Sequence, residues 1–151
     1  MTPNNDGARA LGRLLTVCSD GVEGYRRAAA AVSASEIRTV LQRNEVEREE
    51  IASVVTNALV ELGAKGGHGG SFAGAAHRDL LAALGATHAD AAIVHECLRG
   101  DQVTLAAFAE ALSHDLPAEI GSRISAQQAR VVHAVERLTG ISPVASPSAP
   151  A

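Results

Sequence analysis

Apolar residues recur every three or four positions through most of the chain and rarely alternate with polar ones over strand lengths, so the pattern predicts helices. A first long helix is expected from about Gly7 to Val32, after the polar Asn4-Asn5-Asp6 start. Ser33-Ala34-Ser35-Glu36 has capping-box spacing and opens a second, which runs to about Leu62 and stops at Gly63. Thr87 can cap a third, about His88 to Ser113. Asp115-Leu116-Pro117 ends it and starts a fourth, to about Thr139. Between the second and third lies the loop Gly66-Gly67-His68-Gly69-Gly70, then a short alanine-rich helix, about Ser71 to Leu84, broken by Gly85. Tight turns make the first and second helices antiparallel, and likewise the third and fourth. The short helix, about 21 Å at 1.5 Å per residue, is a crossover that lets the second and third run parallel. The domain reading is a disordered 1–6, a bundle over 7–140 and a disordered Ser/Pro/Ala-rich 141–151.

The expected fold is therefore all-α: a four-helix bundle with a short helical crossover between the second and third long helices, the connectivity of ferritin-like bundles. That topology raises a di-metal question, which helical phase can address at about 100° per residue. On the first helix Leu11, Leu14, Leu15, Cys18, Val22, Tyr25, Ala29 and Val32 share one face, while Asp20 and Glu23 point away from it. The second carries Ile37, Val40, Leu41, Asn44, Arg48, Ile51, Val55, Ala58, Leu59 and Leu62 inward. On the third the inward face is Val94, Cys97, Leu98, Asp101, Leu105, Phe108 and Leu112, with Glu96 outward. On the fourth it is Ile120, Ile124, Gln127, Val131 and Leu138, with His133 and Glu136 outward.

The inward polar residues fall near the helix midpoints, so they form a layer: Tyr25, Asn44, Arg48, Asp101 and Gln127. A buried charge requires a partner, and an Arg48–Asp101 ion pair is the expected one, with Asn44, Gln127 and Tyr25 as further partners. Such a layer fixes register rather than performing catalysis. Gly21, Gly24 and Gly100 are expected to be close-packing glycines. Gly21 and Gly24 cost about 1 kcal/mol each in a helix relative to Ala, which points to another helix, such as the crossover, approaching the backbone there.

A di-iron carboxylate bundle needs a Glu from each of two helices and a Glu-x-x-His from each of the other two. Here Glu45-x-x-Arg48 and Arg130-x-x-His133 each lack one member, and in Glu47-x-x-Glu50 the second acid points away from the inward face. A cationic Arg48 at the centre also repels a divalent ion. No metal or other cofactor is expected, with iron or manganese as the alternative. His88 and His95 read as solvated, while His68 and His77 flank the glycine loop, where a surface metal is conceivable.

Composition narrows the rest. The chain has 151 residues, enough for one domain, and is 46% hydrophobic with only 2% aromatics, so its core must be aliphatic. Net charge is −4 and the single lysine is Lys65, which argues against nucleic acid, since phosphate neutralisation needs a basic patch. No uncharged apolar run approaches about 18 residues, so no membrane span is expected, and MTPNNDGAR lacks the apolar stretch of a secretory signal. Cys18 and Cys97 lie on apolar helix faces and read as small buried hydrophobes in a reducing cytoplasm, a disulfide or reactive thiol being the alternative. There is no GxGxxG, P-loop, GxSxG or HExxH. Alanines read as outward, Ala28, Ala30, Ala106 and Ala107, favour close association with another copy or a protein partner.

Asp20-Gly21-Val22-Glu23-Gly24-Tyr25, then Arg48, Leu62-Gly63, Gly70-Ser71-x-x-Gly74-x-x-His77-Arg78, Glu96-Cys97-x-x-Gly100-Asp101 and Leu116-Pro117 form an ordered series. It resembles a family of small bacterial four-helix-bundle proteins of uncharacterised function, grouped with the ferritin-like superfamily, over about residues 8 to 140. The resemblance implies a ferritin-like bundle in a bacterial cytoplasm and no established activity. This chain carries Asp101 where that family often has Glu. Two functions compete: a non-enzymatic bundle that assembles with itself or a partner in a stress response, and a degenerate metal-binding relative handling iron or oxidants.

Overall fold

The computed structural model describes residues 5–64 and 89–141. They form four helices and, among the described residues, no strand: α1 (Asn5–Ala31), α2 (Ser35–Glu61), α3 (Asp90–Leu112) and α4 (Ala118–Ile141). The expected crossover helix, His68, His77, Thr87, His88, residues 1–4 and residues 142–151 lie outside the described residues. Asn5 and Asp6 are helical, not part of a disordered lead, and Asp6 places an acid in the first turn, where the helix dipole favours it. No described helix is long and apolar enough to cross a membrane.

Each helix presents a seam whose buried positions step by three and four, the spacing of nearly parallel, interdigitated helices. On α2 these are Ile37, Leu41, Asn44, Arg48, Ile51, Val55 and Ala58. On α3 they are Val94, Cys97, Asp101, Thr104, Phe108 and Ala111. On α4 Ile120, Ile124, Val131, Ala134 and Leu138 follow the same steps, Gln127 filling the gap. Ala28 belongs to this core rather than to an outer face.

Side-chain pairs fix the directions. The start of α1 meets the end of α3, where Gly7 lies under Leu116, and Tyr25 meets Asp101. Glu61 and Glu47, far apart on α2, pair with Arg123 and Arg137 on α4 in reverse order. Thus α1 is antiparallel to α2 and α3, and α4 is antiparallel to both as well. α1 packs on α2 and α3, as does α4, which leaves α2 and α3 parallel at opposite corners. The core splits into two apolar clusters. One gathers Leu11, Leu14, Cys18, Ile51, Leu59, Phe108 and Ile124; the other gathers Tyr25, Ala28, Ile37, Leu41, Val94, Cys97 and Leu138.

The turns differ from the capping expectation in one place. Ala34, not a serine, is the N-cap of α2, and no side chain caps it locally. Instead the Asp90 carboxylate, from the first turn of α3, accepts the backbone N–H of Ser33 and of Ala34, each at 2.8 Å. A tertiary acceptor has replaced the local box, because the start of α3 lies against this turn. Asp90→Ala is expected to lower unfolding free energy by about 1–2 kcal/mol in a denaturant titration. Ser33→Ala should stay within about 0.5 kcal/mol of the parent; a larger loss would restore the local cap. At the other end Gly63 has φ +77, and the N–H groups of Gly63 and Ala64 donate to Val60 and Leu59, a Schellman stop for α2.

Candidate functional site

Arg48 sits at a seam position in the middle of α2 and is only 2% exposed. A guanidinium there must find acceptors inside the bundle. Its Nη2 donates to Asp101 Oδ1 at 3.0 Å and its Nη1 to Thr104 Oγ1 at 3.3 Å, both from α3 at the opposite corner. The Tyr25 hydroxyl of α1 donates to Asp101 Oδ2, so both carboxylate oxygens are engaged. The Tyr25 ring lies against the guanidinium, centroid to Cζ 5.5 Å, a cation–π contact. Thr104 Oγ1 donates in turn to Gly100 O at 3.2 Å. This cluster lies between the two apolar clusters and joins two helices that do not pack on each other directly.

Gly21 makes room for it. A Cβ at Gly21 would lie 2.5 Å from Arg48 Nη1 and 3.4 Å from Arg48 Cγ. The close approach expected there comes from a side chain of α2, not from the backbone of a crossover helix. Gly24 is buried on the same helix, and Gly100 contributes its carbonyl to Thr104.

Tyr25, Arg48 and Asp101 are therefore brought together, whereas Asn44 and Gln127 are not part of their hydrogen-bonding set. Asn44 is buried one turn before Arg48, but its Oδ1 accepts from Arg137 Nη2 of α4 at 3.0 Å, beside an Arg137–Glu47 pair. Gln127 is half-buried and accepts from Arg130 at 3.2 Å. The reason is register. The Glu50–Arg130 and Glu47–Arg137 pairs place Val131 and Ala134 level with Arg48, so Gln127 lies further along α4. Asp20 and Glu96, expected outward, are buried, and Glu96 Oε1 accepts from Arg99 Nε at 3.0 Å. α1 is covered over a wider arc around Asp20 and Gly24 than a single seam would cover. Thr104 is the member the sequence reading missed. A strict three-and-four step from Cys97 and Asp101 lands on it, whereas a 100° wheel drifts on to Leu105.

The electrostatics match a sealed pair. Burial raises the Asp101 carboxyl above its usual range, opposed by the Arg48 charge and the Tyr25 hydrogen bond. Burial works against the Arg48 charge, but Asp101 and Tyr25 more than offset it, so its pKa is raised. Tyr25 is pushed well above 10 by burial and then by the Asp101 charge. Cys18 is pushed up to about 11, chiefly by burial, and Cys97 is raised by burial, Asp101 and Glu96. Neither thiol carries the thiolate character that reactivity needs. Cys18 belongs to one apolar cluster and Cys97 to the other, and the α1–α3 register separates them by about 12 Å or more, too far for a disulfide.

A dinuclear metal centre does not fit these residues. The layer offers one carboxylate, already held by a cation and a hydroxyl, beside Thr104 and Asn44. Among the described residues no group of three or more His, Cys, Asp or Glu converges as metal ligands would. Chemically, the cluster holds charge in place: each oxygen of Asp101 is held by a donor, Arg48 on one and Tyr25 on the other.

Residues 6–114 match the family model described as a domain of unknown function, DUF2383, and the chain belongs to that family. Among solved structures it is similar to a conserved hypothetical protein from Mycobacterium tuberculosis, with a TM-score of 0.77 and 13% identity over 99% of each chain. At that identity the likeness speaks for the fold alone. No curated protein matches the chain.

Proposed function

We propose that this member of a family of unknown function is a non-enzymatic, ferritin-like helical bundle that assembles with copies of itself or with a protein partner. The setting we propose is the bacterial cytoplasm and a stress response. One observation carries the reading: the bundle centre, where a carboxylate centre would need an anionic cage, is filled by the Arg48 cation and its own counter-ion Asp101. A fixed cation there repels iron or manganese, and the pair is buried, with the Arg48 and Asp101 side chains each 2% exposed. What is left for function is the outer surface, and a net charge of −4 with a single lysine fits a protein partner better than nucleic acid.

Metal analysis and mass measurement of protein purified without an affinity tag test this together. The expected result is substoichiometric metal and a mass above that of one chain. Two iron or manganese atoms per chain would favour the metal-handling alternative, and a monomer at all concentrations would remove the assembly reading.

A further inference from the structure

The four helices are not held alike. α4 buries five residues, against eleven in α1 and eight each in α2 and α3. Its seam is interrupted at mid-helix by Gln127. Along its junction with α2 runs a ladder of ion pairs: Arg123 with Glu61 at 2.7 Å, Arg130 with Glu50 at 2.6 Å, and Arg137 with Glu47 at 2.6 Å. The three arginines stand at heptad spacing, and much of the ladder is exposed, where salt screens it. Among the described residues, the buried side-chain nitrogens without a hydrogen-bond partner are Asn44 Nδ2, Arg123 Nε and Arg137 Nε, all on this junction. The buried cluster that locks the other helices, Gly21, Tyr25, Arg48, Asp101 and Thr104, takes no member from α4.

We propose that α4 is an exchangeable helix: it leaves its own bundle as a unit and seats in the α2–α3 groove of a second copy of the chain. This deepens, and rests on, the reading of the chain as a self-assembling bundle. Release leaves the Arg48 lock intact in α1–α3, so the remainder keeps its register. It uncovers apolar surface, so the freed state needs a replacement helix. The replacement must carry aliphatic residues at the seam positions, as Ile120, Ile124, Val131, Ala134 and Leu138 do, and arginines at heptad spacing to meet Glu61, Glu50 and Glu47. The α4 of another copy has that pattern, and exchange remakes the same contacts at no loss of complementarity. The link that must open is short, residues 113–117. It ends in Pro117, which has no N–H to lock and resists merging α3 and α4 into one helix.

The test uses full-length chains. A Glu50→Cys variant is mixed at high concentration with an Arg130→Cys variant and treated with a short bis-maleimide. Covalent dimers linked between positions 50 and 130 are expected, identified by peptide mass. Tying the two positions within one chain, in a Glu50→Cys/Arg130→Cys variant cross-linked beforehand as monomer, should abolish dimers. Hydrogen exchange of the unmodified chain should show the amides of residues 118–141 opening together, about tenfold or more faster than those of α1, and faster still at 1 M than at 0.05 M salt. Dimers without the 50–130 link, or α4 protected as well as α1, overturn the exchange while leaving self-assembly standing. No association at any concentration overturns both.

Discussion

Arg48→Met is expected to lower the unfolding free energy by about 3–5 kcal/mol at neutral pH, read from denaturant titrations. Removing the cation leaves Asp101 in hydrocarbon with only the Tyr25 hydroxyl as donor, and a stranded buried charge costs far more than the intact pair contributes. Asp101→Leu should be comparably damaging, because a guanidinium cannot shed its proton and Arg48 would be left buried and charged. Arg48→Met/Asp101→Leu should recover most of the loss, and adding Tyr25→Phe should recover more, since it removes a hydroxyl left with no acceptor. The coupling, not the single losses, identifies the pair. Single and double losses that simply add would mean that the two side chains do not share a bond.

The pH dependence gives the same prediction a sign. In the parent, burial already raises the Asp101 pKa. Without Arg48 the main opposing influence is gone, so the folded-state pKa rises further. A carboxyl whose folded pKa lies above its unfolded value takes up its proton more readily in the native state. Its native state is therefore unpenalised below the unfolded value near 4, and stability is lost as pH rises toward the folded value. Arg48→Met should thus be destabilised least in mild acid and progressively more toward neutrality. A deficit that shrinks as pH rises would mean that Asp101 is not the group being stranded.

How much of this was legible in the sequence depends on what each residue needed. The helices were, because apolar spacing, Gly63 and Leu116-Pro117 are local signals, and the structure places the α1, α2 and α4 ends within a few residues of them. An inward Arg48 and Asp101 were legible as well, since charged residues at seam positions have few ways to be satisfied. The partners were not. Whether Asn44 meets Arg48 or Arg137 depends on the axial register of α4 against α2, which no single helix encodes. The N-terminus of α2 failed for a related reason: Ser33 and Glu36 have the spacing of a capping box, but Asp90, 57 residues away from Ser33, takes the Ser33 N–H that the Glu36 carboxylate would accept in that box. Thr104 was missed because an untwisted wheel departs from the three-and-four step of an interdigitated seam within two turns. Gly21 showed as an anomaly, but the atom that explains it belongs to another helix.

Gly21→Ala is the second large effect, and its sign runs against helix propensity. Alanine in an exposed helix position should add about 1 kcal/mol relative to glycine. Gly12, on the same helix with nothing within 4 Å of its would-be Cβ, is the internal control, and Gly12→Ala should stabilise by about 0.5–1 kcal/mol. At Gly21 the added carbon meets Arg48 Nη1 at 2.5 Å, with Cγ and Cζ of the same side chain at 3.4 and 3.5 Å. A free arginine tip would swing aside. This one is pinned by Asp101 and Thr104 on one side and the Tyr25 ring on another, so yielding means losing bonds inside the core. A net loss of about 2–3 kcal/mol is expected, overpacking and broken hydrogen bonds outweighing the propensity gain. The conflict is with the guanidinium, so shortening the side chain should remove it. In the Arg48→Met/Asp101→Leu background Gly21→Ala should become neutral or mildly stabilising. If instead Gly21→Ala gains stability in the parent as Gly12→Ala does, the seam position opposite Arg48 is open, and the arginine does not fill the glycine's place in the bundle core.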